Sequence, residues 1–233
     1  MREAGAAPFY RRGELRAVTG ETLRPGGTDL TERAFNLAGL TPGARLLDLG
    51  CGPGASLTLA RERFCAKPVG LDFSAAMLAE AKARRPGLRL VRADALALPF
   101  RAASFEVVLC ECVLSLLPDP APVLADIARC LAPGGRLVWA DLCRREAPLR
   151  RAPAGGDGAS CLAGAPALPL VPALVAAAGL HVLVLEDHSK ALAELAGRLI
   201  FAGIPPAELF GAVPGGCAGR PGYFLMIAAK EEE

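Results

Sequence analysis

The segment that most constrains the fold is Leu46-Leu47-Asp48-Leu49-Gly50-Cys51-Gly52-Pro53-Gly54. An apolar run ends in Gly-x-Gly-x-Gly, and a stretch with helical character, Ala55–Arg63, follows at once. Glycines at such a turn let the backbone approach a ligand closely. A parallel α/β sheet binds its ligand at the carboxyl ends of its strands, where the strand order reverses, and this loop belongs at such an end. On the glycines alone two chemistries stay open, because Gly50-x-Gly52-x-x-Ala55 also fits the dinucleotide-binding fingerprint. Asp72, closing the next apolar run, could bind ribose hydroxyls in either case.

The rest of the chain repeats the alternation. Arg45–Gly50, Pro68–Asp72, Leu88–Asp94, Phe105–Cys112 and Arg136–Leu142 read as strands. Ala55–Arg63, Ala75–Arg84 and Ala121–Leu131 read as helices, the last stopped by Pro133-Gly134-Gly135. Phe105–Cys112 is apolar with little alternation, which suits a strand buried on both faces. Cys110 and Cys112, two residues apart, are then expected on one face. Alternating β and α units imply parallel strands with helices on both sides. Before this core, Thr28–Gly39 reads as a helix capped by Thr28 or Asp29, preceded by the turn Arg24-Pro25-Gly26-Gly27. Arg24 is expected on the surface of that turn; contact with a cofactor carboxylate or an acidic substrate is the alternative. Beyond the core, Cys143–Ala165 reads as a loop or cover, Leu170–Ala178 as a helix, His181–Asp187 as a strand, Ser189–Phe201 as a helix and Tyr223–Lys230 as a final strand.

Composition excludes several classes. With 233 residues, 52% of them apolar, the chain can bury a full core. Its 26 basic and 24 acidic residues leave a net charge of +2, so a nucleic-acid partner is not expected. Met1–Gly20 carries Arg11, Arg12 and Arg16 without a long apolar core, so no secretory signal is expected and a cytoplasmic location follows. The most apolar stretch, Leu162–Leu185, is broken by Pro166, Pro169, Pro172 and Gly179, which argues against a membrane-spanning helix. Eight cysteines with no Cys-x-x-Cys pair suit reduced thiols rather than disulfides or a zinc ribbon. Nothing in the sequence sets an oligomeric state.

Five segments in order then carry a resemblance: Asp48–Gly54; Gly70-Leu71-Asp72-Phe73-Ser74 with Met77; Asp94-Ala95 with Leu98-Pro99-Phe100; Leu117-Pro118-Asp119; and Pro133-Gly134-Gly135-Arg136-Leu137. Together they resemble the class I S-adenosylmethionine-dependent methyltransferases, of the type that includes quinone and small-molecule methyltransferases. The resemblance covers roughly residues 40–142. It implies an α/β fold, a three-layer Rossmann-like, seven-stranded, mostly parallel sheet with a reversed last strand and a small helical or loop cover. It also implies an N-terminal helical cap over 1–39, a cofactor-binding core over 40–142, and an acceptor-side cover with the last two strands over 143–233. In that family Asp48 and the loop of Gly50, Cys51, Gly52 and Gly54 would hold the amino-acid end of S-adenosylmethionine. Asp72 would accept from the ribose hydroxyls, with Phe73 and Met77 near the adenine. Asp94 would accept from the adenine amino group, with Ala95 beside it. Cys110 and Glu111 would lie beside the sulfonium.

The acceptor side resembles the arsenite methyltransferase branch in part. Glu111–Asp119 is similar to that branch's segment after the fourth strand, and Ser160-Cys161-Leu162-Ala163-Gly164-Ala165 to its Cys-x-x-Gly-Ala turn. Cys161, Cys217 and Cys112 would then be thiol ligands of a soft metalloid. Where those enzymes carry a cysteine beyond the glycine loop, this chain reads Ala55-Ser56-Leu57-Thr58. A second acceptor-side candidate is Glu186-Asp187-His188-Ser189, where His188 could act as a general base oriented by an acid. Its alternative is a helix cap made by Asp187 or Ser189, with His188 on the surface. The expected function is methyl transfer from S-adenosylmethionine to a small molecule. Two rivals are a non-catalytic cofactor-binding or partner subunit and a nicotinamide-dependent oxidoreductase.

Overall fold

A computed structural model describes residues 13–22, 24–117, 119–146, 164–207 and 220–232. Two short helices, α1 (Gly13–Thr19) and α2 (Gly27–Leu37), precede the core. The core then alternates β1 (Arg45–Leu49), α3 (Ala55–Phe64), β2 (Lys67–Asp72), α4 (Ala75–Arg84), β3 (Arg89–Arg92), β4 (Phe105–Glu111), α5 (Ala121–Cys130) and β5 (Leu131–Arg144). It ends with α6 (Val171–Ala177), β6 (Leu180–Asp187), α7 (Ser189–Phe201) and β7 (Pro221–Lys230).

The seven strands form one sheet in the order β3-β2-β1-β4-β5-β7-β6. β1 to β5 pair in parallel, and β7 runs antiparallel to both β5 and β6. The last strand in sequence is therefore the reversed one, and it lies inside the sheet. That position explains its unbroken apolar run: Gly222 to Ala229 are all buried, because a strand covered on both faces has no solvent side to keep polar. The β1/β4 junction at the sheet centre, where the order reverses, carries the glycine loop at its carboxyl end.

Each face of the sheet has its own core. On one, Leu30, Phe35, Leu57, Leu195 and Leu199 from α2, α3 and α7 pack over Leu46, Val107, Leu109 and Val138. On the other, Val123, Leu124, Ile127, Val171 and Val175 from α5 and α6 pack over Leu47, Leu49, Val108 and Trp139. Trp139 meets Phe224 edge-on, with ring centroids 5.1 Å apart.

Four expectations need correction. α5 ends at Cys130 and β5 begins at Leu131, so Pro133-Gly134-Gly135 stands inside a strand. The pairing jumps from Phe105↔Leu131 to Val107↔Arg136, and this irregularity absorbs the residues a ladder cannot hold. Cys143, expected in a loop, is a buried residue of β5. α2 has no side-chain cap from Thr28 or Asp29; Gly26, at φ 76°, starts it. Cys110 and Cys112 do not share a face. β4 stops at Glu111, Cys112 takes φ 56°, and its side chain packs with the α2/α3/α7 core while Cys110 packs with the other.

Candidate active site

The glycine loop is held by β2. Gly50 and Cys51 both donate their N–H to Leu71 O, at 2.8 and 3.0 Å. Asp72, at the end of β2, accepts from Gly52 N on one oxygen and from Ser74 N on the other, each at 2.9 Å. Asp72 thus clamps the loop and still has lone pairs to offer, since each carboxylate oxygen can accept twice. Burial raises its pKa, and the backbone donors oppose that shift. Gly52 sits at φ 49°, and a Cβ there would meet nothing within 4 Å, so the loop backbone borders open space on that side. Beside it Phe73 is 44% exposed, whereas Met77 is buried. Asp94, after β3, is exposed and accepts from Leu96 N at 3.0 Å, with half-buried Ala95 next to it.

Beneath the loop lies an acidic cluster around one arginine. Asp48 is buried and has no hydrogen-bond partner among the described residues. Burial and the neighbouring Glu111 push its carboxyl up to about 8, with Arg24 acting in the opposite sense. Glu111, at the end of β4, accepts from Thr31 Oγ1 at 2.9 Å and from Ser56 Oγ at 3.1 Å. It also forms an ion pair with Arg24 at 2.8 Å. The surface position expected for Arg24 is therefore wrong: it is a buried residue of the site. The turn that carries it gave the only sequence signal, and Thr31 and Ser56 gave none, because they meet Glu111 from α2 and α3 across large sequence separations.

Two residues expected at the cofactor bury their thiols. The Cys51 thiol is buried and rests toward Gly70, and burial raises its pKa. Cys110 is fully buried, its thiol likewise pushed up by burial, so its side chain faces the core and not a cleft.

On the acceptor side, Cys112 Sγ lies 3.4 Å from the hydroxyl of buried Tyr223, on β7. Tyr223 O accepts from His188 N at 2.7 Å, so one tyrosine touches both. His188 is partly buried, and its Nε2 lies 2.8 Å from Glu186 Oε2. Glu186 is in turn gripped by Arg33 of α2, with Nε to Oε2 at 2.9 Å. The Arg33 hydrogen bond is the chief reason the Glu186 carboxyl falls to about 2, against a burial that raises it; His188 adds to the fall. Asp187 accepts from Ser189 N at 2.8 Å, but the N-cap of α7 is His188 and it makes no side-chain cap bond, so the cap expected from Asp187 or Ser189 is replaced by His188. Arg33 and Tyr223 were not singled out in the sequence. Cys161 and Cys217 lie outside the described residues.

Residues 47–139, which span the loop, Asp72, Asp94 and Glu111, match the family model described as a methyltransferase domain. Over this span the chain resembles a methyltransferase domain. The chain is 37% identical over 125 residues to a demethylmenaquinone methyltransferase of Renibacterium salmoninarum, covering 53% of this chain and 52% of that one. It thus spans about half the length of such curated relatives. Among solved structures, phosphoethanolamine N-methyltransferase 2 of Haemonchus contortus, in complex with S-adenosyl-L-methionine, superposes with a TM-score of 0.74 at 18% identity, over 97% of this chain and 57% of that one. The [4+2]-cyclase SpnF superposes with a TM-score of 0.68 at 25% identity, over 88% and 81%. No helix among the described residues is long and apolar enough to cross a membrane.

The residues of this cleft fit S-adenosylmethionine. A buried carboxyl without a hydrogen-bond partner, a second carboxylate beside it and an open loop backbone at Gly52 suit a cationic amino-acid end; a dinucleotide pyrophosphate would meet like charge there.

Proposed function

We propose that the chain transfers the methyl group of S-adenosylmethionine to a small-molecule acceptor. The observation that carries this reading is the buried Asp48–Glu111 pair directly under an open glycine loop at the strand-order reversal. Bound S-adenosylmethionine supplies a methyl on a sulfonium, an activated group that needs no acid to leave. The protein's part is then alignment and exclusion of water. Asp48 and the Gly50–Gly54 backbone hold the amino-acid end. Asp72 accepts from the ribose hydroxyls while it clamps Gly52 and Ser74. Phe73, Met77, Asp94 and Ala95 surround the adenine. The partition into a cap over 1–39, a core over 40–142 and an acceptor side over 143–233 belongs to the same proposal.

For an acceptor that carries a proton, His188 is the base. Glu186, fixed by Arg33, orients its ring and stabilises the imidazolium formed when the proton arrives. His188→Gln is expected to lower kcat by about 100-fold. A rate indifferent to this change would mean the acceptor reacts without a base. A thiol-held metalloid acceptor instead requires arsenic(III) binding that falls on Cys112→Ser, Cys161→Ser or Cys217→Ser. The cofactor reading is tested by calorimetry with S-adenosylhomocysteine and NAD. Heat with the first and not the second supports it, and silence with S-adenosylhomocysteine overturns it.

A further inference from the structure

Arg24 has more donors than the described residues use. The turn Arg24-Pro25-Gly26-Gly27 folds its side chain under α2. Gly26 is required there, because a Cβ at its φ of 76° would come within 2.7 Å of Leu30 Cβ. Only 9% of the Arg24 side chain is exposed. Nη2 donates to Thr31 Oγ1 and to Ser56 Oγ, the latter at 3.1 Å, and meets Glu111 Oε2 at 2.8 Å. Nη1 reaches Thr22 O at 3.3 Å. Nε is enclosed and, among the described residues, has no hydrogen-bond partner. A guanidinium offers a carboxylate two parallel N–H groups, one of them from Nε. Glu111 meets this fork through Nη2 alone.

Glu111 can spare the contact. Its oxygens already accept from Thr31 and Ser56. Asp48 lies beside Glu111, and Asp72 beside Asp48, so two more carboxyls border the cluster. Two carboxyls, Glu111 and Asp48, face one guanidinium, with Asp72 next to Asp48: the acids share a single cation, and the arginine lacks a bidentate anion. A zwitterion placed among them answers both, with an ammonium for the acids and a carboxylate for the fork.

We infer that Arg24 receives the carboxylate at the amino-acid end of the cofactor, taking over the fork that Glu111 touches through one nitrogen. This rests on the reading of the cleft as an S-adenosylmethionine site. Glu111 stays tethered by Thr31 and Ser56 and turns to the ammonium alongside Asp48. Arg24 is thereby a binding residue contributed by the segment between α1 and α2, outside the matched domain at 47–139. The same chemistry has a second source. Arg24 also lines a groove of about 1100 Å³ between α1, the start of α2 and α7, with Thr19, Thr28 and Phe201 among its walls, and an acidic acceptor could present its carboxylate from there.

Calorimetry on the full chain separates these cases. S-adenosylhomocysteine is compared with its decarboxylated analogue, which keeps the amine and loses only the carboxylate. The wild-type chain is expected to bind the first about tenfold to 100-fold more tightly, and Arg24→Gln is expected to erase that gap. Should Arg24→Gln fail to fold, the wild-type comparison stands alone. Equal affinity of the wild-type chain for both ligands overturns the inference and leaves the cofactor reading intact. No heat from either overturns the cofactor reading, and the inference with it. If the gap persists in a folded Arg24→Gln chain, the carboxylate has another receptor and the inference fails. If octanoate stabilises the wild-type chain saturated with S-adenosylhomocysteine, octanamide does not, and the octanoate effect disappears in Arg24→Gln, the fork belongs to the acceptor and the cofactor assignment is overturned.

Discussion

Asp48 shows how one residue can report on a ligand. Burial and Glu111 raise its carboxyl to about 8, which biases the free chain toward the protonated form at neutral pH. An ammonium beside it favours the ionised form, so binding below pH 8 must expel a proton. Affinity for S-adenosylhomocysteine is therefore expected to rise by as much as about tenfold per pH unit from pH 6 toward 8, and proton release should appear as a buffer-dependent heat. Stability of the free chain runs the other way. A raised folded pKa means the native state holds more protons than the unfolded one between about 4 and 8. The contribution of Asp48 to stability is full below the unfolded value and is lost as pH climbs through that window. Asp48→Asn is expected to flatten the fall in melting temperature and to weaken cofactor binding. A pH-independent affinity in the wild-type chain would show that Asp48 does not face the ammonium.

At the scale of elements, α7 and the α2–β6 link make contrasting predictions. α7 places Leu192, Leu195 and Leu199 on its buried face at helical spacing, while Ile200 is 64% exposed. Leu195→Ala is expected to cost about 2–5 kcal/mol by urea unfolding, and Ile200→Ala within about 0.5 kcal/mol. Equal effects would mean that α7 is rotated relative to its packing here. The Arg33–Glu186 contact joins α2 to the edge strand β6, and the Arg33 side chain is half exposed. Such a pair contributes little to folding, about 1 kcal/mol at most. Its consequence lies in placing Glu186 against His188. Arg33→Ala should leave the unfolding midpoint nearly unchanged and shift the pH–rate profile. A large loss of stability without a change in that profile would assign the link to folding alone.

For the whole molecule, the site joins parts that fold from distant segments. Arg24 and Thr31 come from the segment before β1, Ser56 from α3, Asp48 from β1 and Glu111 from β4. A ligand that bridges them stabilises the native state by mass action, about 2.7 kcal/mol at 100 times its Kd. For a chain of this size that corresponds to a rise in Tm of about 5–10 °C. S-adenosylhomocysteine should produce it, and NAD should not. The structural neighbours include both a methyltransferase and a [4+2]-cyclase, so the fold alone does not name the reaction.

The order of strands and helices, the carboxyl-end position of the glycine loop and the placement of Asp48, Asp72, Asp94 and Glu111 at or just beyond strand ends were legible in the chain. α4 and α7 have the bounds read from the sequence, Ala75–Arg84 and Ser189–Phe201. Those features are local: apolar periodicity and turn residues act over a few positions, so sequence alone determines them. Tertiary structure decided the burial of Arg24, the placement of Arg33 against Glu186, and the opposite faces of Cys110 and Cys112. It also decided where β5 begins. A buried guanidinium is tolerable only where partners converge on it, and here they come from α2, α3 and β4, which no window of neighbouring residues contains.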